Sequence, residues 1–219
     1  MLTFYYHPLS PIARRVWLAL LEKKISFQPV LVDLRKEQYQ SEFLALNPFH
    51  HVPVIVDNDL KLIESLAILD YLEYQYPSPS LSPQSARELG RMKMIQMVTT
   101  NELIPKLPLV ANAAVKPLTS EVIEQINTVF QFLSNELDDH SYFGGDTLNL
   151  ADIVTGATIP LFCRLGISLE SYSNLESWHQ RIIIREAWQK TEPNEEDLKN
   201  WQRWIQLIIK RHQRRSRPN

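Results

Sequence analysis

Residues 2–24 read LTFYYHPLSPIARRVWLALLEKK, and their hydrophobic pattern changes part-way along. The segment Leu2–Tyr6 is mainly apolar and aromatic, which is typical of a β-strand. Over residues 11–24 the apolar side chains recur at helical spacing, beginning with Ile12 and Val16. The stretch therefore predicts a strand that is followed directly by a helix.

The same alternation continues to residue 77. The predicted elements are strands at 27–32, 54–57 and 60–63 and helices at 36–46 and 64–76. Pro29 indicates that the strand at 27–32 lies at a sheet edge, because proline donates no ladder hydrogen bond. The order β-α-β-α-β-β-α predicts an α+β domain over residues 1–77, with a small mixed sheet covered by helices.

Residues 78–85 are rich in serine and proline and are predicted to form a linker. The rest of the chain shows only helical patterns, which predicts an all-helical domain over 86–219 with a basic tail at 210–219. The predicted helices lie at 87–115, 120–138, 150–165, 174–185 and 195–212.

Two local signals refine the helical half. Pro105 and Pro108 must bend or end the first helix, because proline lacks the N–H that the helix needs. Residues 150–165 are apolar almost all round, which predicts the buried centre of the bundle. Asn149 and Asp152 have the spacing of a capping box at its start.

Two scarce residue types exclude several kinds of site. The chain has five glycines, and none lies among its first 89 residues. This excludes a glycine-rich phosphate loop or dinucleotide fingerprint there, since both need backbone conformations that only glycine tolerates. The single cysteine, Cys163, excludes an internal disulfide, a CxxC redox pair and a cysteine-based zinc site, and its position favours an inert core residue.

The charge is unevenly distributed. The chain has 23 Lys and Arg and 25 acidic residues, and its last ten residues hold five of those bases and no acid. The acidic remainder argues against a nucleic-acid partner. The basic tail is interpreted as favourable charge near a helix C-terminus, with weak attraction to an anionic membrane or nucleic acid as the alternative. No uncharged stretch reaches the ~18 residues of a membrane span, and no secretory pattern is visible, so a cytoplasmic protein is expected.

Five short segments follow the order and spacing of one known family. They lie at residues 5–16, 47–53, 62–68, 149–152 and 174–187. Together they resemble the glutathione transferases, most closely the serine-type classes theta, phi and delta, with a bacterial or cyanobacterial class as the alternative. The resemblance implies a thioredoxin-like N-terminal domain, an all-helical second domain and a homodimer. Glutathione is then a co-substrate, and no cofactor is permanently bound.

The resemblance also implies the reaction. The thiolate of glutathione would attack a small hydrophobic electrophile such as an isothiocyanate or an aryl halide, with organic hydroperoxides as a further class. Detoxification and stress response are the expected roles. The alternative is a transferase-like protein without turnover that carries hydrophobic ligands or acts as a scaffold. A thiol–disulfide reductase is excluded, because that chemistry needs a cysteine near residue 10.

Ser10 corresponds to the catalytic serine of the family, whose hydroxyl donates a hydrogen bond to the glutathione sulfur. The structural alternative is a helix N-cap, because Pro11 follows at the first helical position. Tyr6 is the rival donor, since some classes use a tyrosine at the end of the first strand. Arg14 lies one helical turn after Ser10 and is a candidate electrostatic helper.

The resemblance implies five glutathione-binding residues. Val52 pairs through its backbone with the cysteinyl part beside a cis Pro53. Glu64 faces the ammonium group of the γ-glutamyl part, and Ser65 holds its carboxylate at a helix start. His51 holds the glycine carboxylate.

Two further expectations concern the surroundings of this site. His50 stands where relatives often keep glycine, and the His50-His51 pair has no third ligand nearby in sequence, so no metal site is predicted. An apolar stripe in the last helix is expected to be packing, with Trp204 as the alternative to Trp201 in the pocket. The residues expected to line the electrophile pocket are Leu9, Pro11, Ile12, Met94, Met97, Asn101 and Trp201.

Overall fold

The protein structure is a computed structural model that describes residues 1–33 and 37–215, with side chains described up to residue 210. Its N-terminal part alternates strands and helices in the predicted order. The elements are β1 Leu2–Tyr6, α1 Pro11–Glu22, β2 Phe27–Leu31, α2 Ser41–Leu44, β3 Val54–Asp57, β4 Leu60–Ile63 and α3 Ser65–Gln75.

The strands form one sheet in the order β2-β1-β3-β4. β1 pairs in parallel with β2 and antiparallel with β3, and β3 forms an antiparallel hairpin with β4. The edge position of β2, which contains Pro29, is confirmed. α1 and α3 pack against each other and bury side chains such as Val16 and Leu69. The predicted thioredoxin-like arrangement is therefore present.

The single helix predicted at 36–46 is only partly present. A 3₁₀ turn at Glu37–Tyr39 and the single-turn helix α2 take its place, and residue 36 lies outside the described residues. Phe43 is the one buried side chain of these two elements.

The second half is helical, as predicted. Its helices are α4 Ala86–Val98, α5 Leu107–Ala111, α6 Ser120–Leu137, α7 Leu150–Gly156, α8 Ile159–Arg164, α9 Ser173–Ile183, α10 Glu186–Thr191 and α11 Glu195–Arg215. The helix predicted at 87–115 is broken by a π turn and a 3₁₀ turn before α5, in the region of Pro105 and Pro108. Within the described residues no helix is both long and apolar enough to cross a membrane.

The single helix predicted at 150–165 is two helices, α7 and α8. Pro160 cannot donate to the carbonyl of Gly156, which lies four residues earlier, and its ring disfavours a continuous helix. The indole N–H of Trp188 donates to that Gly156 oxygen at 2.7 Å instead. Trp188 belongs to α10, a short helix that the sequence did not predict.

The start of α7 is buried, and its capping box is confirmed. The Asn149 side chain accepts from the backbone N–H of Asp152, and the Asp152 carboxylate accepts from the backbone N–H of Asn149 at 2.9 Å. The same carboxylate accepts from Phe143 N at 3.0 Å and from the Trp178 indole at 2.8 Å. Burial raises the pKa of Asp152 to about 6, against the opposing effect of these N–H donors.

Candidate active site

A cavity of about 570 Å³ lies beside the start of α1, the loop before β3 and the start of α3. It brings together many of the predicted site residues from these three separate segments. The predicted residues that line it are Ser10, Ile12, His51, Val52, Pro53, Glu64 and Ser65.

The cavity wall also contains residues that the sequence did not assign to the site. They are Gln38, Tyr39, Asn47, Phe49, His50 and Ile208, and the wall also contains Trp204, which the sequence offered as the alternative to Trp201. Trp204 and Ile208 are four positions apart in α11, so one face of that helix closes the cavity. The sequence predicted the apolar stripe of α11, but it did not predict which side of that helix faces the first domain.

Ser10 caps α1 from the end of the turn that follows β1. Its Oγ accepts the backbone N–H of Ala13 at 3.2 Å, and Pro11 occupies the first helical position. Among the described residues, no hydrogen bond uses the Ser10 hydroxyl as donor. The hydroxyl therefore caps the helix as an acceptor and keeps its own hydrogen for a group in the cavity.

Tyr6 and Arg14 do not line this cavity. The Tyr6 ring packs between the rings of Phe4 and Trp17, with centroid distances of 5.1 and 4.8 Å. The Arg14 guanidinium is buried on another side of α1, where it pairs with Glu192 at 2.5 Å. Of the two predicted donors to the sulfur and the predicted electrostatic helper, only Ser10 lines the cavity.

Val52 contributes an unused backbone edge to the cavity. The Val52–Pro53 peptide bond is cis, and no hydrogen bond among the described residues uses the Val52 N–H or C=O. Asn47 is buried and shapes this loop, because its amide donates to the His51 carbonyl at 2.7 Å and its oxygen accepts from Phe49 N at 2.9 Å. The edge is open to a peptide that would pair with it as an added strand.

Glu64 and Ser65 form the junction between β4 and α3. Glu64 has φ = 67°, and its exposed carboxylate makes no capping hydrogen bond. Ser65 is buried and begins α3, so the first N–H groups of that helix lack intrahelical partners. A helix start with a serine hydroxyl suits a carboxylate, and the adjacent free acid suits an ammonium group.

Comparison with known proteins gives the family. The profiles of the glutathione S-transferase N-terminal domain and of the glutathione S-transferase C-terminal domain match residues 4–80 and 72–186. Glutathione S-transferase F10 of Arabidopsis thaliana is 32% identical to this chain over 87% of its length and 96% of that protein. The chain belongs to the glutathione S-transferase family.

Solved structures agree with this membership. A delta-class glutathione transferase of Nilaparvata lugens superposes with a TM-score of 0.82 at 26% identity, over 95% of this chain and 100% of that chain. A glutathione S-transferase of Rhodospirillum rubrum F11 superposes with a TM-score of 0.77 at 27% identity, over 89% and 94% of the two chains. The predicted two-part transferase architecture is thereby confirmed.

The two histidines of this transferase differ in their surroundings. His50 has φ = 61°, in the left-handed region that favours glycine. Its Nδ1 lies 3.1 Å from the Gln38 carbonyl, and its ring packs against Tyr39. His51 is exposed at the cavity wall. Among the described residues, no cluster of three or more His, Cys, Asp or Glu side chains is placed to hold a metal ion.

Most residues expected to line the electrophile pocket of the transferase lie elsewhere. Leu9, Pro11 and Trp201 line a narrow crevice of about 10 Å³ between α1, α8 and α11. Met94, Met97 and Asn101 are exposed on α4 and the π turn after it, and they do not line the Ser10 cavity. Ile12 does line it, and Trp204 rather than Trp201 supplies the indole.

Proposed function

We propose that this transferase conjugates the thiolate of glutathione to small hydrophobic electrophiles such as isothiocyanates and aryl halides. One observation carries the proposal. The Ser10 hydroxyl lines the cavity at the start of a helix whose dipole favours negative charge, and no described residue accepts its hydrogen. A free thiol has a pKa of ~8.5, and a donor with a helix N-terminus lowers it, which raises the thiolate fraction near neutral pH.

Glutathione is proposed to bind along the three polar segments of the cavity. Its γ-glutamyl carboxylate lies at Ser65 and its ammonium group at Glu64. Its cysteinyl backbone pairs with the open edge of Val52, beside Pro53, and its glycine carboxylate lies at His51. The support is that these groups share one cavity with Ser10, and that each is chemically complementary to the part it would hold.

The apolar wall of the cavity supports the hydrophobic class of electrophile. Ile12, Phe49, Trp204 and Ile208 share the cavity with Ser10. With an aryl halide, the thiolate sulfur forms a bond to the ring carbon and the carbon–halogen bond breaks, so halide leaves. With an isothiocyanate, the sulfur adds to the central carbon and the nitrogen takes up a proton. Organic hydroperoxides are a further substrate class in this proposal.

We further propose that the protein acts as a cytoplasmic homodimer in detoxification and stress response. Exposed apolar side chains on α3 and α4 support the dimer. Tyr74 is 93% exposed, and Leu89, Met94 and Met97 are also exposed. Large apolar side chains that form a contiguous exposed patch often mark a protein–protein interface. Size-exclusion chromatography with light scattering tests it, and a monomer at micromolar concentration contradicts it.

Retention on immobilised glutathione, followed by a conjugation assay with several electrophiles, tests the proposed function. The protein is expected to bind the resin, to elute with free glutathione and to form product with at least one electrophile. S-methylglutathione should compete for binding but yield no product, since its sulfur is blocked. Retention without conjugation of any electrophile would indicate the carrier or scaffold alternative. No retention at all would contradict the proposed site.

A further inference from the structure

A second cavity of about 850 Å³ lies in the helical half of the chain, between α8, α9 and α10. We call it the α8–α10 cavity, and its wall includes Pro160, Cys163, His179, Ile183, Trp188 and Gln189. Among the described residues, none lines both this cavity and the one at Ser10. A concave space of this volume can hold a small organic molecule, and nothing in the proposed function uses it.

The floor of the α8–α10 cavity is apolar and is held in place by the fold. Pro160 and Trp188 are buried, and Ile183 is half-buried. The Trp188 indole donates its N–H to the Gly156 carbonyl at 2.7 Å, so the polar atom of this ring is satisfied and the ring is fixed. A Cβ at Gly156 would lie 2.8 Å from the same ring, which shows how closely α7 supports it. The floor is therefore preorganised for an apolar ligand.

The charged groups at the rim of the α8–α10 cavity are paired with one another. Arg164 Nη1 donates to the Glu192 carboxylate at 2.5 Å and to the Pro193 carbonyl at 2.6 Å. Arg164 Nη2 donates to the Glu195 carboxylate at 2.6 Å, and Glu192 also pairs with Arg14 of α1. A charged ligand would have to compete with these charge-assisted hydrogen bonds, so the rim favours no ion of either sign.

The two remaining titratable groups of the described wall are uncharged at neutral pH. Burial raises the pKa of the Cys163 thiol to about 11, so the thiol keeps its proton. Burial lowers the pKa of His179, against the opposing charges of Glu192 and Glu176, so its ring is neutral at pH 7. The interior of the cavity therefore favours a neutral ligand over an ion, which would be buried without a free counter-charge.

His179 and Gln189 supply hydrogen-bonding groups that the described protein does not use. No hydrogen bond between described residues involves the ring nitrogens of His179 or the side-chain amide of Gln189. A neutral imidazole has one donor N–H and one acceptor nitrogen, and a carboxamide can also donate and accept. An apolar floor with a few convergent polar groups is the usual lining of a small-molecule site.

We propose that the α8–α10 cavity is a second binding site, which holds a small neutral aromatic molecule with one hydrogen-bonding group. The rings of this molecule lie on Pro160, Ile183 and Trp188, and its polar group faces His179. Glutathione takes no part in this binding, so the site is independent of the proposed conjugation.

Two matched fluorescent probes test the chemical class of the ligand. N-phenyl-1-naphthylamine is neutral and carries a single N–H group. The compound 8-anilino-1-naphthalenesulfonate has the same rings and an added negative charge. The neutral probe should have a Kd at this site at least about tenfold below that of the sulfonate, because the sulfonate would be buried without a free counter-charge.

Cys163 reports occupancy of this one cavity, because it lines the wall and is the only cysteine of the chain. The rate of its alkylation by iodoacetamide is measured by mass spectrometry at about pH 9, where some thiolate forms. At about ten times its Kd, the neutral probe should slow this alkylation about tenfold, by mass action. The sulfonate at the same concentration should slow it no more than about twofold.

Two matched substitutions show which cavity binds the neutral probe. Ile183→Trp fills the α8–α10 cavity, and Ile12→Trp fills the cavity at Ser10. The Kd that Cys163 protection gives should rise at least about tenfold in Ile183→Trp and change less than about twofold in Ile12→Trp. His179→Phe keeps an aromatic ring but removes both ring nitrogens, and it should raise that Kd about threefold to tenfold, as the loss of one hydrogen bond does.

Four results would overturn the proposed site or its ligand class. The site is absent if the neutral probe does not protect Cys163 in the native protein, or if the protection persists in Ile183→Trp. Protection that is lost in Ile12→Trp but kept in Ile183→Trp would place the probe at Ser10. Equal protection by the two probes would contradict the preference for a neutral ligand. If far-UV circular dichroism shows that Ile183→Trp is unfolded, His179→Phe decides, and an unchanged Kd there contradicts the site.

Discussion

Ser10 and Ser85 cap two helices with the same geometry and different surroundings. Each Oγ accepts the backbone N–H three residues later at 3.2 Å, from Ala13 in α1 and from Glu88 in α4. The Ser85 hydroxyl donates its hydrogen to the Glu88 carboxylate at 2.8 Å on the exposed surface. The Ser10 hydroxyl has no such acceptor among the described residues and lines a cavity.

The difference shows what separates a structural cap from a reactive one. The N–H···O hydrogen bond is common to both, so capping alone does not identify a catalytic serine. What distinguishes Ser10 is an unused donor that faces a space large enough for a ligand. The start of α7 represents the opposite extreme, since the buried groups of its capping box are reciprocally bonded. These three helix starts can be compared by substitution.

The largest effect is expected at α7, where Asp152→Ala removes a fully buried acceptor. Three N–H donors, from Phe143, Asn149 and Trp178, would lose their partner. At about 1–3 kcal/mol for each buried unsatisfied group, the free energy of unfolding should fall by at least about 3 kcal/mol. Urea denaturation measures it. A loss under about 1 kcal/mol would show that the network is not structural.

The next effect is on turnover and separates the two serines directly. Ser10→Ala should lower kcat by about 100-fold, as the loss of one donor to a developing or stabilised anion does. Ser85→Ala removes an equivalent cap and should leave kcat within about twofold. Steady-state conjugation kinetics measure both. Equal kcat values for the two variants would show that Ser10 is a structural cap without a catalytic role.

A smaller effect is expected from Ser65→Ala, which removes the hydroxyl at the start of α3. The Kd of glutathione should rise about tenfold, because a hydrogen bond to a charged group is lost. The same Ser85→Ala protein is the control, and its Kd should equal the native value. Calorimetric titration measures both dissociation constants. If Ser65→Ala binds glutathione as tightly as the native protein does, Ser65 is not a ligand contact.

The smallest effect is on stability, where the two serine caps should be indistinguishable. Ser10→Ala and Ser85→Ala should each lower the free energy of unfolding by about 1 kcal/mol, the usual cost of losing an N-cap. Urea denaturation of the unliganded proteins checks it. A much greater loss for Ser10→Ala would mean that its effect on turnover comes from disrupted structure.

Much of the structure could be predicted from the sequence, because these parts of it depend on local sequence patterns. The strand β1, the Pro11 start of α1, the edge strand with Pro29 and the capping box of α7 each follow from short-range chemistry. The same holds for the residues that meet at the cavity from the starts of α1 and α3. Each is fixed by a motif a few residues long, and the family resemblance supplies their order.

Other features depend on long-range packing and could not be predicted. Trp201 and Trp204 lie three positions apart in one helix, and only the docking of α11 decides which indole reaches the cavity. The carbonyl of Gly156, which Pro160 leaves unpaired at the break between α7 and α8, accepts from Trp188, and these two residues lie 32 positions apart.

The pKa of the thiol of bound glutathione tests the central claim most directly. Ultraviolet titration of the thiolate absorbance gives it for the native protein, Ser10→Ala and Ser85→Ala. The native complex and Ser85→Ala should share a pKa at least about one unit below the free value of ~8.5, and Ser10→Ala should return towards that value. If the pKa in Ser10→Ala equals the native one, Ser10 does not stabilise the thiolate.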